Sequence, residues 1–379
     1  MTEKNGLELV GHISLDGAGD LMQIDVIDGV AYVAHAGRSG LGTSIFEVSD
    51  PRKPRVLSVI EAPPGTHSHK VQVTDEIMIV NHEKNPSQDA DEWSAGVNVF
   101  DVSDPSRPRE IGFFATTGEG VHRMTFWEPP YAYVSATEDG FVGRLLKIID
   151  LSDPTAPTEA GRWWLPGSHV AGGEEPGWDV GEREYAMHHA LLDGPVAYCS
   201  WWDGGMVVLD VSDVARPAMI SHLELDPSES SCTHTALPLP GRSLVVLADE
   251  AVEDNCREVP KRIRLVDTAD PAAPRVVNML PVPEGDYCDR GGRFGPHNLH
   301  ENRPGRMVDT DTVYVTYFNA GVRVFDLGDP SDPKEIAYYV PEAPPGQSAI
   351  QLNDLVVTQD GLIFVTDRIG GGLYIFEHL

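Results

Sequence analysis

One phrase recurs along the chain. It reads SIFEVSDPRKPRV from Ser44, VNVFDVSDPSRPRE from Val97 and LKIIDLSDPTAPTE from Leu146. It returns as VVLDVSDVARPAM from Val207, IRLVDTADPAAPRV from Ile263 and VRVFDLGDPSDPKE from Val322. The marker aspartates Asp50, Asp104, Asp153, Asp213, Asp270 and Asp329 stand 49 to 60 residues apart. Self-similarity at such a period restricts a chain to repeat architectures. The chain closes on LYIFEHL, the first half of a seventh copy.

Each copy reads as strands. The apolar, β-branched stretch before the aspartate alternates. The DPxxP segment is a turn, because Pro fixes φ and lacks the N–H that a ladder needs. A short strand follows, as in REIGFFATT, and two more precede each phrase with a turn between them, as in HALL-DG-PVAYCS. Four strands per period and seven periods predict an all-β fold: a single seven-bladed β-propeller domain over residues 1–379. The chain opens with LELVGHISL, which matches the fourth strand of a blade, and ends after a third strand. The segment Leu7–Leu15 is therefore expected to complete the last blade and pair two edges that would otherwise be open.

The FDVSDPSRPREIG-type phrase resembles the LVIVD repeat family of bacterial propellers, over nearly the whole chain. That resemblance implies the fold and says little of function. The xxDxSDPxxPR phrase is also similar to a segment of the selenium-binding-protein/methanethiol oxidase propellers, a resemblance that implies a histidine-bound metal, usually taken as copper.

We call the strands of a blade A to D from the axis outward. The starts of strands A carry histidines: His69 in HSHKV, His122 in VHRMT, His188 and His189 in MHHAL, His234 in THTAL, His297 and His300 in PHNLH. Gln23 and Gln351 stand at comparable places in the two remaining blades. Strand A lies nearest the axis, so these side chains should converge on one end of the central channel. The ends of strands B reach the same face and bring His82, Trp201, Glu250, Tyr317 and Asp367. The longest connections, 83–96, 166–187, 249–262 and 284–296, map there too, and long loops on a rigid scaffold commonly carry function.

A single histidine of this kind is more often structural than catalytic. Five in register at an axis point to a shared ligand, and a divalent metal is the usual one. His69, His122, His188, His189, His234 and His297 are the candidate ligands. His82, Glu250 and Asp367 are candidate proton-transfer groups. Gln23, Gln351, Trp201 and Tyr317 are candidate contacts to a small-molecule substrate. A histidine-rich set with few carboxylates suits Fe, Cu, Mn or Zn over Mg or Ca. The reaction expected is oxidation, with elimination or hydrolysis at the same site as the alternative and a non-catalytic interaction scaffold as the other.

Composition narrows the partners. With 28 Lys+Arg against 59 Asp+Glu the net charge is −31, which argues against a nucleic-acid partner, since that needs a basic face, and against attraction to an anionic membrane. The first residues lack a secretory pattern and no apolar stretch is long enough to span a membrane, so a cytoplasmic location is expected. The four cysteines, Cys199, Cys232, Cys256 and Cys288, form no CxxC pair and are expected to be reduced there, although Cys256 and Cys288 lie in loops where an exported protein would pair them.

Overall fold

The structure, a computed structural model, describes residues 3–15 and 19–379. Its strands form seven antiparallel sheets arranged as the blades of a propeller. Blade 3 shows the plan: strand A is Val121–Thr125, B is Tyr131–Ala136, C is Leu145–Asp150 and D is Thr158–Trp163. Strands B and C are almost wholly buried, and strand D is half-exposed. Apolar residues of neighbouring blades pack against one another between the sheets, as Ile79 of blade 2 does with Val134 and Ile149 of blade 3.

Both aspartates of the repeated phrase have a structural task. The one ending strand C accepts the N–H two residues on, as Asp101 does from Ser103 (2.9 Å) and Asp150 from Ser152 (2.8 Å). The marker aspartate repeats the turn, with Asp104 accepting from the Ser106 N–H and Asp153 from the Thr155 N–H, each at 3.0 Å. Two successive side-chain-to-backbone turns of this kind explain why Asp recurs at both positions.

The same turn meets the next blade. The Ser58 hydroxyl of blade 1 donates to the Pro105 carbonyl of blade 2 (2.8 Å), Ser221 of blade 4 to Pro271 of blade 5 (2.6 Å), and Asn278 of blade 5 to Pro330 of blade 6 (3.0 Å). Blades 2, 3 and 7 have Gly112, Gly161 and Gly11 at this strand-D position. There a Cβ would stand 2.2 Å from the Pro154 carbonyl oxygen, 1.9 Å from that of Val214 and 1.8 Å from that of Pro51. Six blades are therefore latched by one contact, made with a short polar side chain or by bare backbone, while blade 6 has Ala337 at this position, against Gly6.

Closure follows the sequence expectation. Leu7–Ile13 pairs antiparallel with the last strand, Gly372–His378, in a register from Leu7 opposite His378 to Ile13 opposite Leu373. A further pairing was not legible: Glu3–Asn5 adds to Lys334–Val340 of blade 6. Gly6 makes the step between the two blades at φ 68°, and a Cβ there would lie 2.9 Å from that of Ala337. Blade 6 also departs from the plan at its inner edge. Residues 296–300 make one bridge, Leu299 to Val315, with no continuous strand. Pro296 has no N–H to give.

The thiol expectation is corrected. Cys256 and Cys288 are joined in a disulfide with Cα atoms 5.4 Å apart, which ties loop 249–262 to loop 284–296; Cys199 and Cys232 are free. Among the described residues no helix is long and apolar enough to cross a membrane.

Candidate metal centre at the axis

Strand register decides which side chains reach the channel. In blade 3 Arg123 pairs with Ser135, and the ladder skips His122. In blade 5 Thr235 pairs with Ala248 and the ladder skips His234. The same irregularity falls at Met22 and Gln23 in blade 1 and at Asn353 in blade 7. The ring position is thus held by Met22, His69, His122, His188, His234, His297 and Asn353. Its five histidines run as an arc, with ring centroids 5.0, 5.0, 3.9 and 4.6 Å apart from His69 to His297. His67 stacks on His69 at 3.9 Å.

The residues expected at the glutamine positions lie elsewhere. Gln23 sits one step deeper, where its Oε1 accepts the Val71 N–H of blade 2 (3.1 Å). Gln351 lies above the ring, its Oε1 taking the Arg293 N–H (3.0 Å) and its Nε2 donating to the Ile350 carbonyl (2.8 Å). His189 also lies one tier below the arc, 3.6 Å from Glu301.

At the ends of strands B the alternation of side chains matters. His82, Trp201, Tyr317 and Asp367 occupy one register position, and it faces into the blade. His82 Nδ1 bonds Ser94 Oγ (2.8 Å). Trp201 is fully buried, edge-on to Trp163 at 5.4 Å. Tyr317 is buried and lines a pocket of about 130 Å³ beside the disulfide. Asp367 accepts the N–H groups of Gln351, Ile369 and Gly371 at 2.8, 3.2 and 2.6 Å. The next residue in each blade reaches the ring: Glu83, Trp202, Phe318 and Arg368. Trp202 stands edge-on to His188 at 5.8 Å, and Phe318 stacks on His297 at 4.7 Å with Arg368 over its ring. Trp202 and Phe318 hold φ of 33° and 45°, a left-handed backbone uncommon for aromatic residues and found preferentially at functional sites. Glu250 is the one strand-B candidate already at this position.

Glu83 and Glu250 are register equivalents three blades apart, and each approaches the ring histidine of the following blade. Glu83 Oε2 lies 3.0 Å from His122 Nδ1, and Glu250 Oε1 lies 3.4 Å from His297 Nε2. Two groups bring ligand atoms within 4.8 Å of one another: His67, His69 and Glu83, and His188, His234 and Glu250.

The two groups differ in how their nitrogens are engaged. His188 Nδ1 donates to the His234 carbonyl (2.8 Å), and His297 Nδ1 donates to the Asn353 carbonyl (2.6 Å). His234 Nδ1 is held by the Thr235 hydroxyl (2.8 Å). An imidazole that gives its Nδ1 proton to a carbonyl presents a bare lone pair on Nε2, the arrangement a metal-binding histidine needs. His234 Nε2 then stands 3.6 Å from Glu250 Oε2. On the other side the Nδ1 atoms are turned to Glu83 and to Asn81, whose amide donates to His69 at 3.2 Å and leaves the buried Nε2 of His69 without a partner. Burial holds His69, His188, His189, His234 and His297 well below the ordinary imidazole range, so all are neutral at pH 7. Burial also pulls His122 down, although Glu83 beside it acts the other way.

Family comparison fits this frame. The LVIVD repeat model matches residues 90–116, 130–163 and 192–224, which span parts of blades 2, 3 and 4. The chain carries LVIVD repeats. No curated protein matches it by sequence. Among solved structures, a hypothetical selenium-binding protein from Sulfolobus tokodaii is similar at 14% identity, over 95% of this chain and 91% of that one, with a TM-score of 0.58. The periplasmic gluconolactonase of Pseudomonas aeruginosa is similar at 11% identity, over 98% and 94%, with a TM-score of 0.60. The WD40 propeller domain of Doa1 is similar at 9% identity, over 98% and 97%, with a TM-score of 0.62. At such identities these LVIVD-repeat blades share a fold with an enzyme and with a scaffold alike.

Proposed function

We propose that this LVIVD-repeat propeller is a metal-dependent enzyme acting on a small organic substrate, and that its ion is held by His188, His234 and Glu250, with His297 adjoining. One observation carries the reading: His188 and His234 face Glu250 while their Nδ1 atoms are tied down.

Two histidines and one carboxylate form a ligand set that leaves coordination positions open, and it suits non-haem iron and zinc, with copper and manganese next. Such an ion, when bound, supplies Lewis-acid or redox chemistry at a substrate oxygen. The chain's own residues do the rest. Trp202 and Phe318 wall the mouth. Arg293 bonds Glu250 Oε1 at 3.1 Å and fixes that carboxylate between His234 and His297. Glu83, with His122, offers a carboxylate on the opposite side that can take a proton from a bound group.

Oxidation is our first assignment, and hydrolysis or elimination uses the same ligands; the similarity to a gluconolactonase keeps hydrolysis open. The paired Cys256 and Cys288 suit an oxidising compartment better than the cytoplasm. Metal analysis of protein purified without a His tag tests the proposal. About one equivalent of Fe, Cu, Mn or Zn is expected. Protein that is metal-free and also ignores all four added ions overturns it, and the interaction-scaffold reading then stands.

A further inference from the structure

Beneath the histidine arc lies a second tier, made by the next residue of each strand A. Blades 2, 3 and 4 place Lys70, Arg123 and His189 there, each about 2% exposed or less. Among the described residues Lys70 Nζ has no hydrogen bond and no ion-pair contact; burial pulls it down to about 7, although Asp354 and Glu250 act the other way. Arg123 spends one nitrogen, NH2, on Glu301 Oε1 (3.0 Å), while its Nε and NH1 have no partner. Neither ring nitrogen of His189 has a hydrogen-bond partner, and above them His69 Nε2 is also unpartnered.

The neighbouring carboxylates give these free donors no hydrogen bond. Glu301 is engaged with Arg123 and with the Gln72 amide (3.4 Å). Asp25 pairs with Arg303 and Arg306 deeper in the channel. Asp354 takes the Ile24 N–H of blade 1 (3.0 Å) and attracts Lys70 and Arg123 without bonding either. What remains, among the described residues, is a set of buried donors with no hydrogen-bond acceptor. Burying an unpaired cation is expensive, and native proteins rarely leave several such donors together unless something binds them. Access lies above this tier. The side chains of His67 and His122 are 14% and 20% exposed, against 1% and 3% for His234 and His297. The arc is therefore open to solvent on the blade 2–3 side, over Lys70 and Arg123.

We infer that Lys70, Arg123 and His189 form an oxyanion site that holds a carboxylate, or a free oxyanion of similar size, below the histidine arc. Arg123 offers the anion a charge-assisted N–H from Nε or from Nη1, while its Nη2 stays on Glu301. Lys70 adds a point charge and His189 a third donor. That the occupant is the anionic end of the substrate rests on the metal reading above; the anion site itself does not.

The test is thermal denaturation of the full chain, stripped of metal, at pH 7 and constant ionic strength. Acetate, sulfate and phosphate replace chloride in turn. A ligand that binds only the folded state raises the melting temperature in a saturable way, and a rise of a few degrees is expected with at least one of these anions. The variants Lys70→Met and Arg123→Gln should each lose that rise. Lys70→Met should also melt no lower than the wild type in chloride, since it removes a buried amine that has no hydrogen-bond partner. Lys334→Met, at the exposed rim, should keep the rise. Acetate acting alone points to organic carboxylates; sulfate or phosphate acting alone points to a free inorganic anion. Sulfate and acetate titrations by calorimetry read the same site without variants, with one site per chain expected. No anion response in either measurement, or an undiminished one in Lys70→Met, overturns the inference. Metal content is measured on separate unstripped samples. Metal binding without an anion response sinks only this site, and the reverse sinks only the metal reading.

Discussion

The rim and the axis of this propeller use the same repeat to opposite ends. At the rim, a single strand-D position meets the next blade's turn through Ser58, Ser221 or Asn278, or through the bare backbone of Gly11, Gly112 or Gly161. At the mouth of the channel, one strand-B position carries Ala36, Glu83, Thr137, Trp202, Glu250, Phe318 and Arg368. Repetition is kept where it joins blades, persists as histidine at the strand-A ring position of five blades, and is abandoned at this strand-B position above it. The rim should therefore govern stability and the axis ligand binding, and changes at one should leave the other's property alone.

The largest effect belongs to the rim. Removing residues 1–16 strips the outer strand from blade 7 and the edge strand from blade 6. It uncovers a ladder and the partners of Leu7, whose burial alone is worth about 1.5–3 kcal/mol. Aggregation or a drop of many degrees in melting temperature is expected. Unchanged melting would break the closure assignment. Next, His234→Ala should lose most of the bound metal, at least about 10-fold in affinity, with melting little changed, because apolar residues between blades make the core. His122→Ala, on the Glu83 side, should keep the metal. Equal loss from both would mean that one ion is shared across the arc. His12→Ala and His222→Ala, whose rings bond the Gly371 and Gly204 carbonyls at 2.6 Å, should keep the metal as well.

A smaller effect should come from Gly161→Ala. Its Cβ meets a backbone oxygen, so blades 3 and 4 must part slightly, costing about 1–3 kcal/mol with metal content intact. A variant as stable as the wild type would show that the latch is slack.

The smallest effects separate the two regions by pH. His300, below the arc, is buried and held down to about 4. The unfolded chain binds its proton first, so stability is full above about pH 6.5 and falls as pH drops toward 4. At the rim, hydrogen bonds from the Ser103 hydroxyl and N–H hold Asp101 down to about 2, and Asp104, Asp153 and Asp329 are lowered in the same manner. The contribution of Asp101 is present above about pH 4 and is lost between about 4 and 2, and those of the other three are lost as pH falls below about 4. Melting followed from pH 7 to pH 3 should show His300→Gln flattening the upper part of the curve and Ser103→Ala the lower. A single transition window common to both variants would erase the distinction.

The sequence revealed the rim more fully than the axis, for a physical reason. The DPxxP turns are local, and Asp, Pro and the hydrophobic alternation each report on their own few residues, so blade number and closure were readable. Which of two adjacent side chains faces the axis depends on ladder irregularities. A one-residue offset separates Trp201 from Trp202, Tyr317 from Phe318, Asp367 from Arg368 and His82 from Glu83. Aligning strand-B ends on the ladder, with Ser135, Ser200, Thr316 and Thr366 as equivalents, would have found the second member of each pair. The skipped residue in strand A likewise makes Asn353, and neither Gln23 nor Gln351, the counterpart of the histidines. The clamp residues Lys70 and Arg123 were hidden because a charged residue beside a ring histidine gives no local sign of burial. The disulfide joins the two cysteines that the sequence offers for pairing, Cys256 and Cys288; what the sequence did not report is the redox compartment that decides whether they are oxidised.

The stitch at Gly6 has a consequence for biogenesis. Glu3–Asn5 and Leu7–Ile13 are made before all seven inner strands, and their partners, Lys334–Val340 and Gly372–His378, follow only after blades 1 to 5. A chain emerging from the ribosome must keep these segments unpaired until blades 6 and 7 have been made. Contacts between residues this far apart in sequence form slowly and leave strand edges exposed meanwhile. Assembly of blades 1 to 5 can proceed as the chain is made, whereas sealing of the circle waits for Gly372–His378.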